Sequence, residues 1–373
     1  MKAWPILGIL IVQTILCLGH WFLYITWVDF WWPLSPPDAF RLRVALIVLS
    51  CIFMVAALLS FRFSNRLVAV LYQIAAVWLG LLNFLFWASC LAWLIDLALR
   101  TVTPGATHLH YRPFIVGVLF ALAIVLSAYG LLNARVIRLC RHTINLPNLP
   151  ASWRGRKALV ISDVHLGNIN GQLFARRVAA MARQLNPDVI FIPGDLFDGS
   201  KTNPEKIAAP LYELTPPLGV YFVSGNHEEI GGANHYSEAL KRTGFRVLEN
   251  ERVIIDGLPV VGVTYHSSTR PLHLRHFLMG LELKEGPPSI LLQHVPNRLP
   301  IIEQAGVSLM ISGHTHQGQV FPFSWITRRA FGEFTYGLQR FGNLQVYTSS
   351  GAGTWGPPMR VGTHSEIVLL TFA

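Results

Sequence analysis

The sequence predicts four membrane-spanning helices followed by an α/β or α+β sandwich domain. Three observations support this. Of the 373 residues, 52% are hydrophobic and 13% charged, whereas soluble domains carry roughly 25% charged residues. Residues 1–141 hold only ten of the 30 Lys and Arg and three of the 20 Asp and Glu. From residue 157 onward, short β-branched or aliphatic runs alternate with amphipathic stretches, a pattern typical of strands connected by helices.

The apolar half contains four stretches long enough to cross a bilayer. Hydrocarbon about 30 Å thick requires roughly 20 apolar residues in a helix, because unpaired backbone groups are too costly there. The first stretch is too long for the core of a signal peptide and lacks a small-residue cleavage site. We therefore expect a transmembrane region over residues 1–141, a linker over 142–155 and a globular domain over 156–373. The four stretches are 6–28, 44–61, 67–97 and 114–132.

Charge placement indicates the orientation of these helices. Basic residues concentrate on the cytoplasmic side of membrane proteins, and with the N-terminus inside, six of them lie there. This orientation places the globular domain in the cytoplasm, and we expect an integral protein of a bacterial inner membrane. The net charge of +10 lies mainly beside apolar segments, which favours lipid headgroups over nucleic acid as partner. The six residues are Lys2, Arg62, Arg66, Arg135, Arg138 and Arg141.

Polar side chains and cysteines add little chemistry to the apolar half. For His20 an interhelical hydrogen bond is favoured over a catalytic role, and for Asp96 a solvated helix end is favoured over a buried relay. We expect no cysteine in the globular domain, and therefore neither a disulfide framework nor a thiolate metal site there. The four cysteines are Cys17, Cys51, Cys90 and Cys140.

Five probable core strands of the globular domain each end in Asp, Asn or His. Crevices at the carboxyl ends of strands are where open α/β sheets bind ligands. Any one of these motifs alone would be an ordinary turn, but five metal-ligand types at five strand ends predict a common metal site. The runs 158–161, 189–192, 220–223, 290–292 and 307–311 precede Asp163 and His165, Asp195, Asn226 and His227, His294, and His314 and His316, respectively.

Together these motifs resemble the calcineurin-like metallophosphoesterase superfamily. Its pattern is Asp-x-His, Gly-Asp, Gly-Asn-His-(Asp/Glu), a His, and Gly-His-x-His, and residues 156–372 contain every block in order. The stretches 194–198 and 313–319 are similar to a bacterial branch of membrane-associated phosphodiesterases related to UDP-2,3-diacylglucosamine hydrolases. The resemblance implies a four-layer α-β-β-α sandwich with two divalent metals at the strand ends.

The resemblance also implies a role for each residue. It assigns three ligands to each metal, one bridging carboxylate and a metal-free catalytic histidine, His227. Mixed imidazole and carboxylate ligation suits Mn, Fe or Zn better than Mg or Ca. The implied ligands are Asp163, His165 and His316 for the first metal, Asn226, His294 and His314 for the second, and Asp195 between them.

We therefore expect a membrane-anchored metal-dependent phosphohydrolase, acting as phosphodiesterase, phosphatase or pyrophosphatase. Two metals would clamp the phosphate and supply hydroxide, while His227 assists the leaving group. Tethering favours a lipid-linked or nucleotide-lipid phosphate ester, and the aromatic and basic stretch 320–329 is either an interfacial segment or a loop packed on the sandwich. The alternatives are a noncatalytic membrane sensor or scaffold, and a nuclease, for which the globular half carries only modest positive charge.

For each of two acidic residues beside these motifs, the sequence leaves two interpretations open. Glu228 either orients His227 or has a solvated or structural role. Asp198 either accepts supporting hydrogen bonds near the metals or caps the following segment.

His266 is expected at the surface or lining the pocket, and His273 and His276 on a solvated or membrane-facing helix.

Overall fold

The computed structural model describes residues 3–31, 34–103 and 105–373, with Lys2 outside the described residues. The chain forms two compact units. The first contains the N-terminal part up to Leu132 together with Gly356–Met359, and the second contains Asn133–Trp355 and Arg360–Ala373.

Among its described residues, the first unit contains the four predicted helices, all long and apolar enough to cross a membrane. Side-chain caps define two of their starts. Ser35 accepts a hydrogen bond from the Asp38 amide before α2, and Asn65 accepts one from the Val68 amide before α3, which satisfies donors left free at a helix N-terminus. The prediction of four spans is thereby confirmed. The helices are α1 (Ala3–Phe30), α2 (Pro36–Arg62), α3 (Arg66–Val102) and α4 (Arg112–Ala134).

Two polar side chains of this unit make defined contacts. Trp78 Nε1 donates to His20 Nε2 at 2.9 Å, so the predicted interhelical hydrogen bond of His20 is confirmed. Asp96 differs from the prediction of a solvated helix end. Its side chain is 1% exposed and pairs at 2.7 Å with both Arg100 and Arg112, because two guanidinium groups replace the water that a carboxylate requires.

The second unit contains eight helices, twelve strands and short 3₁₀ turns. The helices are α5 (Gln172–Leu185), α6 (Pro204–Tyr212), α7 (Asn226–Gly231), α8 (Ala233–Lys241), α9 (Tyr265–Ser268), α10 (Pro271–Met279), α11 (Leu299–Gln304) and α12 (Phe323–Phe331). The strands are β1 (Ile137–Ile144), β2 (Lys157–Val160), β3 (Val189–Ile192), β4 (Val220–Phe222), β5 (Arg246–Val247), β6 (Glu251–Ile255), β7 (Leu258–Val263), β8 (Ile290–Gln293), β9 (Leu309–Ser312), β10 (Gly337–Phe341), β11 (Leu344–Thr348) and β12 (Ser365–Phe372).

These strands form two six-stranded sheets packed face to face. The first has the order β1-β12-β2-β3-β4-β5 and the second β10-β11-β9-β8-β7-β6. Phe191 from the first sheet and Ile290 from the second belong to one buried apolar cluster between them. Helices α5, α6 and α8 cover the outer face of the first sheet, and α10 and α11 that of the second. The predicted four-layer α-β-β-α sandwich is confirmed.

Strand β1 crosses the domain boundary that the sequence predicted at residue 141. All eight residues of β1 pair in parallel with β12, from Ile137 beside Ser365 to Ile144 beside Phe372. Cys140 lies in the middle of this strand, so the expectation of a globular domain without cysteine is wrong. The reason is that only two residues separate the end of α4 from the start of β1, so the basic residues of β1 resemble a flank of the membrane region.

Candidate metal centre

The sheet topology brings the predicted site residues together. Strands β2, β3 and β4 are parallel neighbours in one sheet, and β7, β8 and β9 are parallel neighbours in the other. Their carboxyl ends therefore open onto one edge of the sandwich, as expected for a ligand site of parallel strands. All eight predicted residues follow β2, β3, β4, β8 or β9: Asp163, His165, Asp195, Asn226, His227, His294, His314 and His316.

Left-handed backbone conformations turn most of these side chains toward one another. Five of the seven predicted ligands have positive φ, between 48° and 70°, in a region that L-residues other than glycine rarely adopt. Such conformations cost about 1–3 kcal/mol each and cluster at functional sites. The five are Asp163, His165, Asp195, His314 and His316.

Two glycines permit the close approach of the loops. A Cβ at Gly313 would overlap the Asp163 carboxylate, and a Cβ at Gly225 would overlap the Asp195 carboxylate. Any larger residue would push the loops apart, so both positions require glycine.

One group of ligand atoms comes from Asp163, His165 and His316, whose donor atoms lie within 4.8 Å of one another. The Nε2 atoms of the two histidines face each other at 2.9 Å. The Asp163 carboxylate is held by the Ser162 hydroxyl at 2.5 Å and by the His314 amide at 3.0 Å. This group coincides with the predicted first metal site.

A second group comes from Asp195, His294 and His314. Asn226 Oδ1 lies 3.1 Å from His294 Nε2 and 2.9 Å from His314 Nδ1, and these two nitrogens are 3.2 Å apart. Asp195 Oδ2 lies 3.2 Å from His294 Nε2 and 3.7 Å from His165 Nε2. One carboxylate oxygen therefore reaches both groups, as a bridging ligand must.

The comparisons with known proteins agree with this geometry. The calcineurin-like phosphoesterase model matches residues 156–318. An uncharacterized metallophosphoesterase of Aquifex aeolicus is 33% identical over 255 residues, covering 67% of this chain and 97% of that protein. The chain belongs to the calcineurin-like metallophosphoesterase family. It is therefore a metal-dependent phosphoester hydrolase.

Two further relatives of this metallophosphoesterase extend beyond the catalytic domain. A transmembrane protein with metallophosphoesterase domain from Danio rerio is 30% identical over 317 residues, covering 79% of this chain and 71% of that protein. An uncharacterized metallophosphoesterase of Campylobacter jejuni is 29% identical over 326 residues, covering 84% of this chain and 85% of that protein. The four apolar helices and the relative named a transmembrane protein support a membrane protein.

The donor set of the metallophosphoesterase fits two metal ions. Imidazole nitrogens facing each other near 3 Å inside a protein repel unless a proton or cation lies between them, and such contacts occur in both groups. His165 Nδ1 is buried without a hydrogen-bond partner among the described residues, so no neighbour fixes its protonation. Such a mixture of imidazole, carboxylate and amide oxygen suits transition-metal ions, and we conclude that the site is suited to a dinuclear centre.

Charge is unevenly distributed in the centre. Burial raises the pKa of Asp163 to about 6. Burial disfavours protonated His294, but the adjacent Asp195 carboxylate outweighs this and raises the pKa of His294 to about 9. Burial also lowers the pKa of His314 to about 4. The Asp195 and His294 pair thus holds a proton where a metal cation would provide the same compensation.

His227 lies beside both groups and has a fixed orientation. Its Nδ1 lies 2.8 Å from the Asp198 carbonyl oxygen, which can only accept, so Nδ1 carries a proton and Nε2 is the atom left for chemistry. The ring is 4.7 Å from the His165 ring and 5.7 Å from the ring of Trp355, which is 55% exposed. One side of His227 therefore faces the ligand groups.

Glu228 has the structural role among the two predicted for it. Its buried carboxylate accepts hydrogen bonds from the amides of Asp195 (3.0 Å), Phe197 (2.9 Å) and Gly225 (2.7 Å). Burial raises its pKa to about 8, and the nearby Asp195 adds to this. Glu228 thus connects the loop after β3 to the loop after β4 through backbone amides.

Asp198 supports the site through both its side chain and its backbone. Its carboxylate accepts hydrogen bonds from the Asn168 amide at 3.0 Å and from the Ser200 amide at 2.8 Å, and also from the Ser200 hydroxyl. Its carbonyl oxygen orients His227. Both predicted roles are therefore present: the carboxylate caps the following segment at Ser200 and supports the Asn168 loop, while the carbonyl acts on His227.

The sequence analysis missed Arg360. This buried guanidinium donates to the carbonyl oxygens of His316 (3.0 Å), Ser350 (2.5 Å) and Gly353 (2.8 Å). It thereby holds the loop after β11 against the loop that carries His316. A lone arginine outside the motifs gives no sequence indication of this role.

The remaining histidines lie outside the centre. His266 on α9 is exposed, as are His273 and His276 on α10. Helix α10 buries Leu274 and Leu278 instead. The expectation of a surface position for these histidines is confirmed.

Proposed function

We propose that this metallophosphoesterase hydrolyses a lipid-linked phosphate ester with two divalent ions in the centre and His227 assisting the leaving group. The observation that carries the proposal is the convergence of two donor groups on the shared Asp195 carboxylate. The assignment of the two ions follows these groups. Asp163, His165 and His316 would hold one ion; Asn226, His294 and His314 would hold the other; Asp195 would bridge them.

The ions and the protein side chains have separate tasks. Two divalent ions, when bound, neutralise the phosphate and make hydroxide available near neutral pH. The leaving alkoxide needs a proton as its bond breaks. Because the Asp198 carbonyl holds Nδ1–H, the proton for the leaving group would come from Nε2 of the doubly protonated His227 ring, which then returns to the neutral form.

Helix α12 supports a substrate held in the bilayer. Phe323, Trp325 and Ile326 are 52%, 64% and 47% exposed, and Arg328 and Arg329 follow in the last turn. Exposed apolar side chains beside cations suit the boundary between acyl chains and anionic headgroups. Phe331, the last residue of α12, lies 6.1 Å from the His314 ring, centroid to centroid. A lipid bound along α12 would therefore have its phosphate near the centre.

Chelation tests the catalytic part of this proposal. The full-length protein in detergent is assayed with a chromogenic phosphodiester, with and without removal of metal, and after restoring Mn, Fe or Zn. We expect activity to disappear with the metal and to return with at least one ion. Activity unchanged by complete metal removal would contradict the proposal, and ligand binding without turnover in the metal-loaded protein would support the sensor alternative.

A vesicle assay tests the substrate. Trp325→Ser is compared with Leu272→Ser, because Leu272 is also an exposed apolar residue (80%) but lies on α10. We expect Trp325→Ser to lower turnover of a phosphorylated lipid in vesicles several-fold and to leave turnover of a water-soluble ester unchanged. Equal effects of the two variants would argue against α12 as the lipid contact.

We also propose that the protein lies in the inner membrane of a bacterium with its catalytic domain in the cytoplasm. We propose further that it is related to UDP-2,3-diacylglucosamine hydrolases. Leu272→Cys provides an exposed thiol on the catalytic domain. We expect a membrane-impermeant maleimide to label it only after the cells are opened; labelling of intact cells would place the domain outside. Accumulation of a phosphorylated glucosamine lipid in cells with inactive enzyme would support the hydrolase relation.

A further inference from the structure

A second cluster of metal-ligand side chains lies in the catalytic unit, formed by residues that the dinuclear centre does not use. Cys140 on β1 and Glu366 on β12 come from neighbouring strands, and His364 directly precedes β12. Their ligand atoms lie within 4.8 Å of one another. Cys140 and His364 are partly exposed, which leaves the cluster accessible to an ion from solvent.

The Glu366 carboxylate is buried, and its two oxygen atoms contact different groups. Its Oε1 accepts hydrogen bonds from the Tyr347 hydroxyl (3.2 Å), the Ser349 hydroxyl (3.1 Å) and the Ser350 amide (3.1 Å). These contacts fix its orientation, as supporting hydrogen bonds do for metal-binding carboxylates. Its Oε2 faces Cys140 and His364, and is therefore the atom available to an ion.

The distances in the cluster match those around a tetrahedral ion. Glu366 Oε2 lies 3.0 Å from Cys140 Sγ and 3.4 Å from His364 Nε2, and these two atoms are 4.0 Å apart. Bond lengths for zinc of about 2.3 Å to sulfur and about 2.0–2.1 Å to nitrogen and oxygen place tetrahedral ligands about 3.3–3.6 Å apart. The three distances between the ligand atoms lie within this range or on either side of it. Shifts of about half an ångström in the side chains would therefore give tetrahedral coordination.

The Tyr336 hydroxyl lies near the fourth coordination position of this tetrahedral site. Its hydroxyl lies 2.9 Å from Glu366 Oε2, 3.2 Å from His364 Nε2 and 3.9 Å from Cys140 Sγ. A phenol at this place can donate a hydrogen bond to the carboxylate or to a water at the open position. Three protein ligands with one open position form a recognised type of zinc site.

We propose that Cys140, His364 and Glu366 bind a third metal ion, a single zinc-class ion separate from the dinuclear centre. A thiolate ligand selects soft or borderline ions such as zinc over magnesium and calcium. The ion links β1 to β12 and, through Glu366, to Ser349 and Ser350 in the loop after β11.

Cobalt substitution tests this site specifically. The full-length protein in detergent is loaded with Co²⁺, because a cysteine thiolate bound to Co²⁺ gives a charge-transfer band in the near ultraviolet that imidazole and carboxylate ligands do not give. The variant C17S/C51S/C90S leaves Cys140 as the single thiol of the sequence and is the matched control. We expect the band in the wild type and in this control, and its loss in Cys140→Ser together with one of three bound metal equivalents.

Two further outcomes keep the inference separate from the proposed function. A wild-type protein that shows no thiolate band after full Co²⁺ loading would overturn the third site, even if Cys140→Ser failed to fold. Cys140→Ser with unchanged metal content would also overturn it and would identify the cluster as a hydrogen-bond network. Phosphodiesterase activity retained in folded Cys140→Ser, together with the loss of one metal equivalent, would support a third site separate from the dinuclear centre.

Discussion

Removal of the Glu228 carboxylate should destabilise the catalytic domain strongly. In Glu228→Ala, the amides of Asp195, Phe197 and Gly225 lose their acceptor. An unsatisfied buried donor costs about 1–3 kcal/mol, so we expect the free energy of unfolding to fall by at least about 3 kcal/mol. For a domain of this size each kcal/mol lowers Tm by about 2–4 °C, which gives a decrease of at least about 6 °C.

Glu228→Gln should have a smaller effect, since its amide oxygen can still accept two of the three hydrogen bonds. Its NH₂ group then faces the remaining amide, and a loss of about 1–3 kcal/mol follows. Thermal unfolding of the full-length protein in detergent measures the order of stability of the wild type, Glu228→Gln and Glu228→Ala. Glu229→Ala on the same helix is the control, because the Glu229 side chain is only partly buried. If Glu228→Ala unfolds within about 1 °C of Glu229→Ala, the three hydrogen bonds do not hold the loops and this reasoning is wrong.

Three other variants test separate contacts. His227→Ala should keep its metal content but lose about 10²–10⁴-fold in turnover; metal analysis and kinetics check this, and loss of metal would contradict its assigned role. Asp198→Ala should lower turnover about 10–100-fold, because the loop that orients His227 loses its hydrogen bonds; an unchanged kcat would count against that positioning. Asp96→Ala should reduce stability by about 3–5 kcal/mol, because it leaves the 13%-exposed Arg112 without a carboxylate partner. Asp38→Ala, which removes an exposed pair, should cost under about 1 kcal/mol in the same unfolding assay.

The sequence predicted those parts of the fold and site that follow from local pattern. Four apolar stretches were sufficient to place α1 to α4, because the bilayer imposes a length and a composition on each span. The positions of Asp163, Asp195 and His294 followed from buried runs that end in metal-ligand residue types. Parallel strands then bring such residues to one edge without further information.

The parts that sequence reasoning missed depend on contacts between distant segments. The hydrogen bonds that Glu228 accepts from three backbone amides, and those that Arg360 donates to four carbonyl oxygens, arise only when the loops meet. The parallel pairing of β1 with β12 places Cys140 beside Glu366, 226 residues apart. Alternation in β1 is weak beyond Leu139, and its basic residues Arg138 and Arg141 are typical of the flank of a membrane helix.

Anomalous diffraction from crystals of the metal-loaded protein would test the dinuclear centre most directly. We predict two peaks about 3.5–4 Å apart, one beside His165 and His316 and the other beside His294 and His314, with Asp195 contacting both. A single peak at this edge of the sandwich, or none under full metal loading, would contradict the account.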